Sequence, residues 1–261
     1  MQKNKLSGII DIFESIKIWR VTLYLALSDI RARYKRSTLG PLWLTLGTAI
    51  GVAGLGWLWS SLLKIPREEF IPPLTIGLIT WQFISGCLTE SSSNFLKQAS
   101  IIRNLKLPYF LHIQQLLLRH LINFLHNIVI FVFVALILDV PVNSHTLLFI
   151  PCLLIFILNL TWIILFLSIL GARFRDIEYA MGSIIPLLFF ASPVIYRPNN
   201  LSTNLIWFNP ITYLIEIVRL PLLGNMPSTK IWIVSLSMLA LGWIITICLF
   251  NRTRNKIVFW I

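Results

Sequence analysis

Arg31, Arg33, Lys35 and Arg36 place four cations within six residues, just ahead of a long uncharged apolar run that begins at Gly40. At a membrane surface such a group attracts anionic headgroups and resists translocation, so it fixes which end stays inside. Arginine adds a planar fork that grips phosphate through two parallel hydrogen bonds. Acids near membrane depth are few: Glu90, Asp139 and Glu216. None belongs to a carboxylate cluster that could hold a metal for phosphate chemistry. His120 and His126 are six apart, a poor spacing for one helix face, and Cys87, Cys152 and Cys248 lie singly in apolar stretches. A Gly-x-x-x-x-Gly-Lys-Ser/Thr phosphate loop does not occur. The expectation is therefore no catalytic residue, no metal site and no cofactor in this chain, which disfavours an enzyme and leaves a conduit or gated passage.

The elements that must position these residues are read from hydropathy. Apolar residues make up 57% of the chain and mean hydropathy is +0.81, against about 45–50% apolar in soluble domains. That is a membrane protein. The net charge of +12 would suggest nucleic acid in a soluble chain, but most cations fall in short loops beside apolar runs, so no nucleic-acid partner is expected.

The pattern predicts an all-α polytopic protein, one transmembrane domain over residues 1–261. Residues 8–34 place Ile9, Ile12, Phe13, Ile16, Trp19 and Leu23 at helical spacing, with Asp11, Glu14, Lys17 and Arg20 between them, the pattern of a helix lying in the membrane interface. Six spans follow, at 40–63, 74–90, 109–138, 147–171, 181–195 and 231–250. The first is uncharged and about 36 Å long at about 1.5 Å per residue, enough for a core of about 30 Å. Gly47, Gly51 and Gly54 recur along it at helical spacing and are expected to receive another helix of the same chain. Residues 64–73 read as an outer turn and 91–108 as one amphipathic helix on the inner side. Pro186 and Pro193 are expected to kink the fifth span. Residues 196–230, punctuated by Asn199, Asn200, Asn204, Asn209 and Pro210 yet otherwise apolar, read as re-entrant or interfacial half-helices, with Glu216 and Arg219 able to pair.

Charge orients this arrangement. Sixteen cations fall inside: Lys3, Lys5, Lys17, Arg20, Arg31, Arg33, Lys35, Arg36, Lys97, Arg103, Lys106, Arg173, Arg175, Arg252, Arg254 and Lys256. Five fall outside: Lys64, Arg67, Arg197, Arg219 and Lys230; Arg119 has no assigned side. The positive-inside rule then places both termini in the cytoplasm.

Four pieces in order carry a family resemblance: Tyr34-Lys-Arg-Ser-Thr-Leu-Gly-Pro-Leu-Trp43; Asn94 to Pro108, with basic residues before a Leu-Pro; Ala172-Arg-Phe-Arg-Asp-Ile177; and Ser192-Pro-Val-Ile-Tyr196 followed by Asn209-Pro-Ile-Thr-Tyr-Leu-Ile-Glu-Ile-Val-Arg219. Together they resemble the membrane subunit of an ABC-2 type exporter, in the branch that moves O-antigen or capsular polysaccharide. The resemblance covers nearly the whole chain and is specific in order and spacing.

It implies a homodimer in the bacterial inner membrane joined to two copies of a separate nucleotide-binding ATPase, where ATP and Mg would bind. Lys97, Ile101, Arg103 and Lys106, with Arg173, Arg175 and Asp176, would meet that ATPase. The cargo would be a polysaccharide linked to undecaprenyl diphosphate, its headgroup met by Arg31, Arg33, Lys35 and Arg36. Trp81, Phe83, Phe189, Phe190 and Tyr196 would line a path for sugar rings, and Pro193, Asn209, Pro210, Glu216 and Arg219 would form an outer gate. Two alternatives stay open at this point: an ABC-2 permease for teichoic acid or a small hydrophobic drug, and an ATPase-independent channel or membrane-embedded lipid enzyme.

Overall fold

The computed structural model describes residues 7–40, 42–197 and 204–261; Lys3, Lys5, Asn199 and Asn200 lie outside them. Among the described residues the secondary structure is helical, without strands. The amphipathic stretch forms two helices, α1 (Ser7–Lys17) and α2 (Trp19–Tyr34), broken at Ile18. Then come α3 (Leu42–Leu63), α4 (Arg67–Ser91), the short α5 (Asn94–Lys97) and α6 (Ala99–Asn104), and α7 (Phe110–Ile137). The chain continues with α8 (Phe149–Arg173), α9 (Asp176–Ala191), α10 (Pro210–Leu222), α11 (Thr229–Thr253) and α12 (Ile257–Trp260). Short 3₁₀ turns occupy Ser144–Leu148, Asn204–Phe208 and Arg254–Lys256.

Five helices among the described residues are long and apolar enough to cross a bilayer: α3, α4, α7, α8 with its preceding 3₁₀ turn, and α11 continuing into α12. This is a multi-pass membrane protein. The stretch expected to be the fifth span, 181–195, is occupied by α9, whose 16 residues make about 24 Å, short of a hydrocarbon core of about 30 Å. The helix starts earlier than its apolar run because Asp176 and Glu178 sit in its first turn, where the helix dipole favours acids. It stops at Ala191 because Ser192, ahead of Pro193, is extended (ψ 149°). Only Pro186 of the two expected kinking prolines therefore lies within it.

α4 is the central helix, packing against α3, α7, α8, α9 and α10. In its most apolar window 72% of residues are buried, against 17% in α3 and 22% in α11, so α3 and α11 are peripheral. Phe83 of α4 lies between Phe124 of α7 and Phe156 of α8, with ring centroids 5.3 and 5.4 Å away. Such tilted and edge-on pairs contribute beyond simple area burial.

Three local expectations are corrected. Most of the outer turn over 64–73 is helical, since α4 starts at Arg67; Pro72 and Pro73 lie near its start and forgo only the bonds to the carbonyls of Glu68 and Glu69. The single helix over 91–108 is two short ones, because Asn94 and Phe95 turn into the body. There Asn94 donates to the His112 carbonyl (3.2 Å) and Phe95 packs on Tyr109. Finally, α3 turns Thr48, Val52, Gly56 and Ser60 toward the bundle, which leaves Gly47, Gly51 and Gly54 facing away. A methyl group at any of these three meets nothing within 4 Å, so among the described residues they receive no helix of the same chain.

The bundle has two distinct ends. α1, α2, α5, α6 and α12 gather at the terminal end, with the ends of α4, α8 and α11 and the start of α7. The distal end holds the 3₁₀ turn Ser144–Leu148, α10 and the start of α11. A core test follows from the aromatic cluster. Phe156→Ala should lower stability by about 3–5 kcal/mol, read as a clearly lower melting temperature of the detergent-purified protein, whereas Phe259→Ala on the exposed face of α12 should leave it within about 0.5 kcal/mol.

Candidate functional site

At the terminal end, Glu90 closes the last turn of α4 among two arginines and a histidine. Arg119 of α7 bonds to its Oε2, while Arg33 Nη2 of α2 and His120 Nε2 of α7 each lie 3.5 Å from its Oε1. Arg119 reaches further, donating from Nη1 to Asp29 Oδ2 of α2 at 3.0 Å, and Gln115 Nε2 donates to the same oxygen at 2.8 Å. Five charged or ionisable side chains from α2, α4 and α7 thus form one network in which the charges of Arg33 and Arg119 balance those of Asp29 and Glu90. The close approach of α4 and α7 there needs Gly86, since a β-carbon on it would strike the His120 ring.

The network floors a groove bounded by α3, α4 and α7. Its lower part is a cavity of about 180 Å³ lined by Arg33, Gln82, His120, Asn123 and Asn127, with Leu44, Ile79, Phe83 and Phe124. Gln82 Oε1 accepts from Thr48 Oγ1 (3.0 Å) and Asn127 Nδ2 (2.8 Å). Further along the same helices, toward the distal end, an apolar cavity of about 440 Å³ runs from Thr45 and Leu46 past Val52 to Phe133 and Leu138. Arg33 at the mouth, an amide-lined wall and an apolar extension thus follow one another along α3, α4 and α7.

A second constellation covers the outside of the same end. α12 turns back beneath the bundle: Arg103 of α6 donates to the main-chain oxygen of Ile261, and the Arg173 guanidinium lies 5.4 Å from the Trp260 ring. α12 therefore touches both segments expected to meet an ATPase, a link between distant parts of the chain that no local spacing reveals. Lys97, Arg103, Lys106, Arg173, Arg175 and Asp176 are exposed and Ile101 is half-buried. Between α1, α6, the 3₁₀ turn Arg254–Lys256 and α12 lies an open cavity of about 440 Å³ bordered by Glu14, Arg103, Lys106, Tyr109 and Arg254.

At the distal end Glu216 and Arg219 pair, 2.7 Å apart and both buried in α10. Arg219 also donates to the carbonyls of Pro193, Val194 and Tyr196, pinning the stretch after α9 onto α10. Asn209 caps α10, accepting from the Ile211 amide and donating to Ser192 Oγ at 2.9 Å, with Pro210 at the first helical position. Gly77 of α4 admits this arrangement, since a β-carbon there would collide with Arg219 and the Val194 carbonyl.

A profile of the ABC-2 type transporter family matches residues 20–223, the span that contains all three constellations except α12. The chain belongs to the ABC-2 type transporter family. Among its relatives is the O-antigen export system permease protein RfbA of Klebsiella pneumoniae, 23% identical over 191 residues, or 72% of this chain and 74% of that one. The protein of the same name from Myxococcus xanthus is 25% identical over 173 residues, 64% of this chain and 65% of its own.

Within this ABC-2 permease the four basic residues near α3 separate. All four are exposed, but of them it is Arg33 that reaches Glu90 and the groove. The five aromatic residues also divide. Trp81 and Phe83 are buried, Trp81 edge-on to Phe189 of α9 at 5.6 Å; Phe190 is exposed and Tyr196 half-buried. Sequence reasoning missed the Glu90 network because its members lie on three helices, 29 to 90 positions apart. The signal was present: an arginine without an assigned side and an acid at the inner end of a span are each costly near the membrane unless paired.

Asp11 of α1 joins this end to the chain's last turns. Its buried carboxylate accepts from the amides of Tyr109 (3.1 Å) and Phe110 (2.9 Å) and from Arg254 Nε (2.7 Å). Burial raises its pKa above 3.8, outweighing those amide bonds and Arg254. A carboxyl raised in the folded state contributes most to stability below its unfolded pKa and loses that contribution as pH rises through the folded value. Melting profiles across acidic pH should show this decline in the native chain and its absence in Asp11→Asn. Asp11→Ala should cost a further ~1–3 kcal/mol at neutral pH, because it leaves buried donors unpaired.

Proposed function

We propose that this chain is the permease subunit of an ATP-driven exporter that moves an undecaprenyl diphosphate-linked polysaccharide, of O-antigen or capsule type, across the bacterial inner membrane. The observation that carries this reading is the match, over about three quarters of the chain, to a permease named for O-antigen export. The groove of α3, α4 and α7 supports it, because an apolar channel beside the exposed cations Arg31, Lys35 and Arg36, entered past Arg33, suits a diphosphate on a long prenyl chain.

In this reading the terminal end is cytoplasmic, with both termini inside, and the distal end faces outward. Arg31, Lys35 and Arg36 gather the diphosphate at the surface, and Arg33 takes it up at the groove by exchanging Glu90 for phosphate. A separate ATPase, present in two copies and binding ATP and Mg, engages α5, α6 and the Arg173–Asp176 turn. Lys97, Ile101, Arg103, Lys106, Arg173, Arg175 and Asp176 make that contact. α12, touching α6 and the end of α8 alike, makes these segments move as one body. α8 then carries the displacement to α10, where Pro193, Asn209, Pro210, Glu216 and Arg219 hold the gate.

Two copies of the permease complete the path. The open face of α3, with Gly47, Gly51 and Gly54, and α9, with no buried residue of its own, supply apolar surface for a second copy. There α9 faces the second copy, and Phe189, Phe190 and Tyr196 line a sugar path with Trp81 behind them. Phe83 serves that path from within the core by fixing α4.

The test is charge removal at the mouth. Arg33→Gln with Lys35→Gln should reduce surface display of the glycan by about tenfold, the equivalent of about 1.4 kcal/mol of lost headgroup affinity. Membrane insertion and co-purification of the ATPase should be unchanged. An inverted or unassembled double variant would make these residues topology determinants only and remove the headgroup role.

A further inference from the structure

At the distal end a cavity of about 420 Å³ opens between α10, the start of α11 and the 3₁₀ turn Asn204–Phe208. Its polar wall is made by Arg197, Trp207, Glu216, Arg219, Asn225 and Ser228, with aliphatic side chains of α10 and α11 between them. Arg219 is only 1% exposed. Its two terminal nitrogens are spent on Glu216 and on the stretch after α9, while its Nε and that of Arg197 are buried without a hydrogen-bond partner among the described residues. Lys230 Nζ lies 5.3 Å from the centroid of the Trp207 ring.

The charge here runs against the pattern of the chain. Charge assignment leaves only five cations at this side; two of them, Arg197 and Arg219, line one cavity whose single lining carboxylate is Glu216, and a third, Lys230, sits against the ring of its Trp207. Gating needs Arg219 and Glu216, a neutral pair, but does not account for the other two. The volume falls within the range of about 300–1,000 Å³ typical of small-molecule sites, more than one inorganic anion requires. An indole, an amide, a hydroxyl and aliphatic side chains make a wall suited to a ring with both apolar faces and hydroxyl groups.

We propose that this cavity binds a sugar unit bearing an oxyanion, such as a uronic acid carboxylate. The charge lies at Arg197 and Lys230, the ring against the Trp207 wall, and its hydroxyls meet Asn225 and Ser228. The proposal rests on reading the cargo as a polysaccharide, and it specifies a glycan carrying acidic residues that are held briefly as they leave the gate.

The test is equilibrium binding to the full-length permease in neutral-lipid nanodiscs, using a glucuronate-containing tetrasaccharide as probe and a neutral tetrasaccharide as comparison. The acidic probe should bind, more weakly as salt rises, and lose at least about tenfold affinity, about 1.4 kcal/mol, in Arg197→Gln and in Lys230→Gln. Lys230 is exposed, so its variant keeps the test interpretable should Arg197→Gln misfold. Equal binding of the neutral tetrasaccharide, unchanged affinity in Lys230→Gln, or competition by inorganic phosphate or phosphatidylglycerol at equal concentration would each overturn the proposal. Binding without glycan export would refute the transport reading and leave this site standing; export without binding would do the reverse.

Discussion

A carboxylate at the membrane boundary cannot stay charged without partners, and Glu90 has three on two neighbouring helices. Taking one ionised group out of water costs several kcal/mol, and removing the more buried partner, Arg119, costs about 3–5 kcal/mol, whereas the half-exposed Arg33 contributes about 1 kcal/mol or less. α2, α4 and α7 are therefore held together at this level by the need to keep Glu90, Asp29 and Arg119 neutralised. Since α4 is also the helix against which α3, α8, α9 and α10 pack, the register of the bundle follows from this position. Arg33 is the one participant from the basic stretch, and the most exposed side chain in the network. Exchange of its partner for an external anion would strip one cation from Glu90 while Arg119 and His120 remain.

The same logic recurs at the distal end with tighter burial. Arg219 satisfies Glu216 and three carbonyls at once, so the stretch after α9 has no independent freedom from α10. The two ends are connected through α8, which touches α5 and α12 at one end and α10 at the other. A displacement of α5 or α12 would thus reach α10 through packed helices rather than through a loop.

Much of this was legible in the residue pattern. The apolar run 109–138 holds α7, and 231–250 lies within α11, because in lipid a backbone must satisfy its own hydrogen bonds and a predominantly apolar run of such length has few alternatives. The pairing of Glu216 with Arg219 followed from three-residue spacing on one helix. Other features were hidden for physical reasons. Periodicity reports a helix but not what its faces meet, so Gly47, Gly51 and Gly54 gave no sign that they look away from the bundle. The break between α5 and α6 depends on Asn94 and Phe95 finding partners near the start of α7. The Glu90 network and the return of α12 to Arg103 and Arg173 are contacts between distant segments, invisible to any local spacing rule.

The central claim is that the chain conducts a lipid-linked glycan under the drive of a separate ATPase. Its most direct measurement is transport in sealed vesicles containing the permease and that ATPase, with a fluorescent undecaprenyl diphosphate-linked glycan in the ATPase-facing leaflet. Delivery of the glycan to the opposite side only when ATP is hydrolysed, and only with both proteins present, is the result expected. Delivery by the permease alone, at the same rate with or without ATP, would contradict the account.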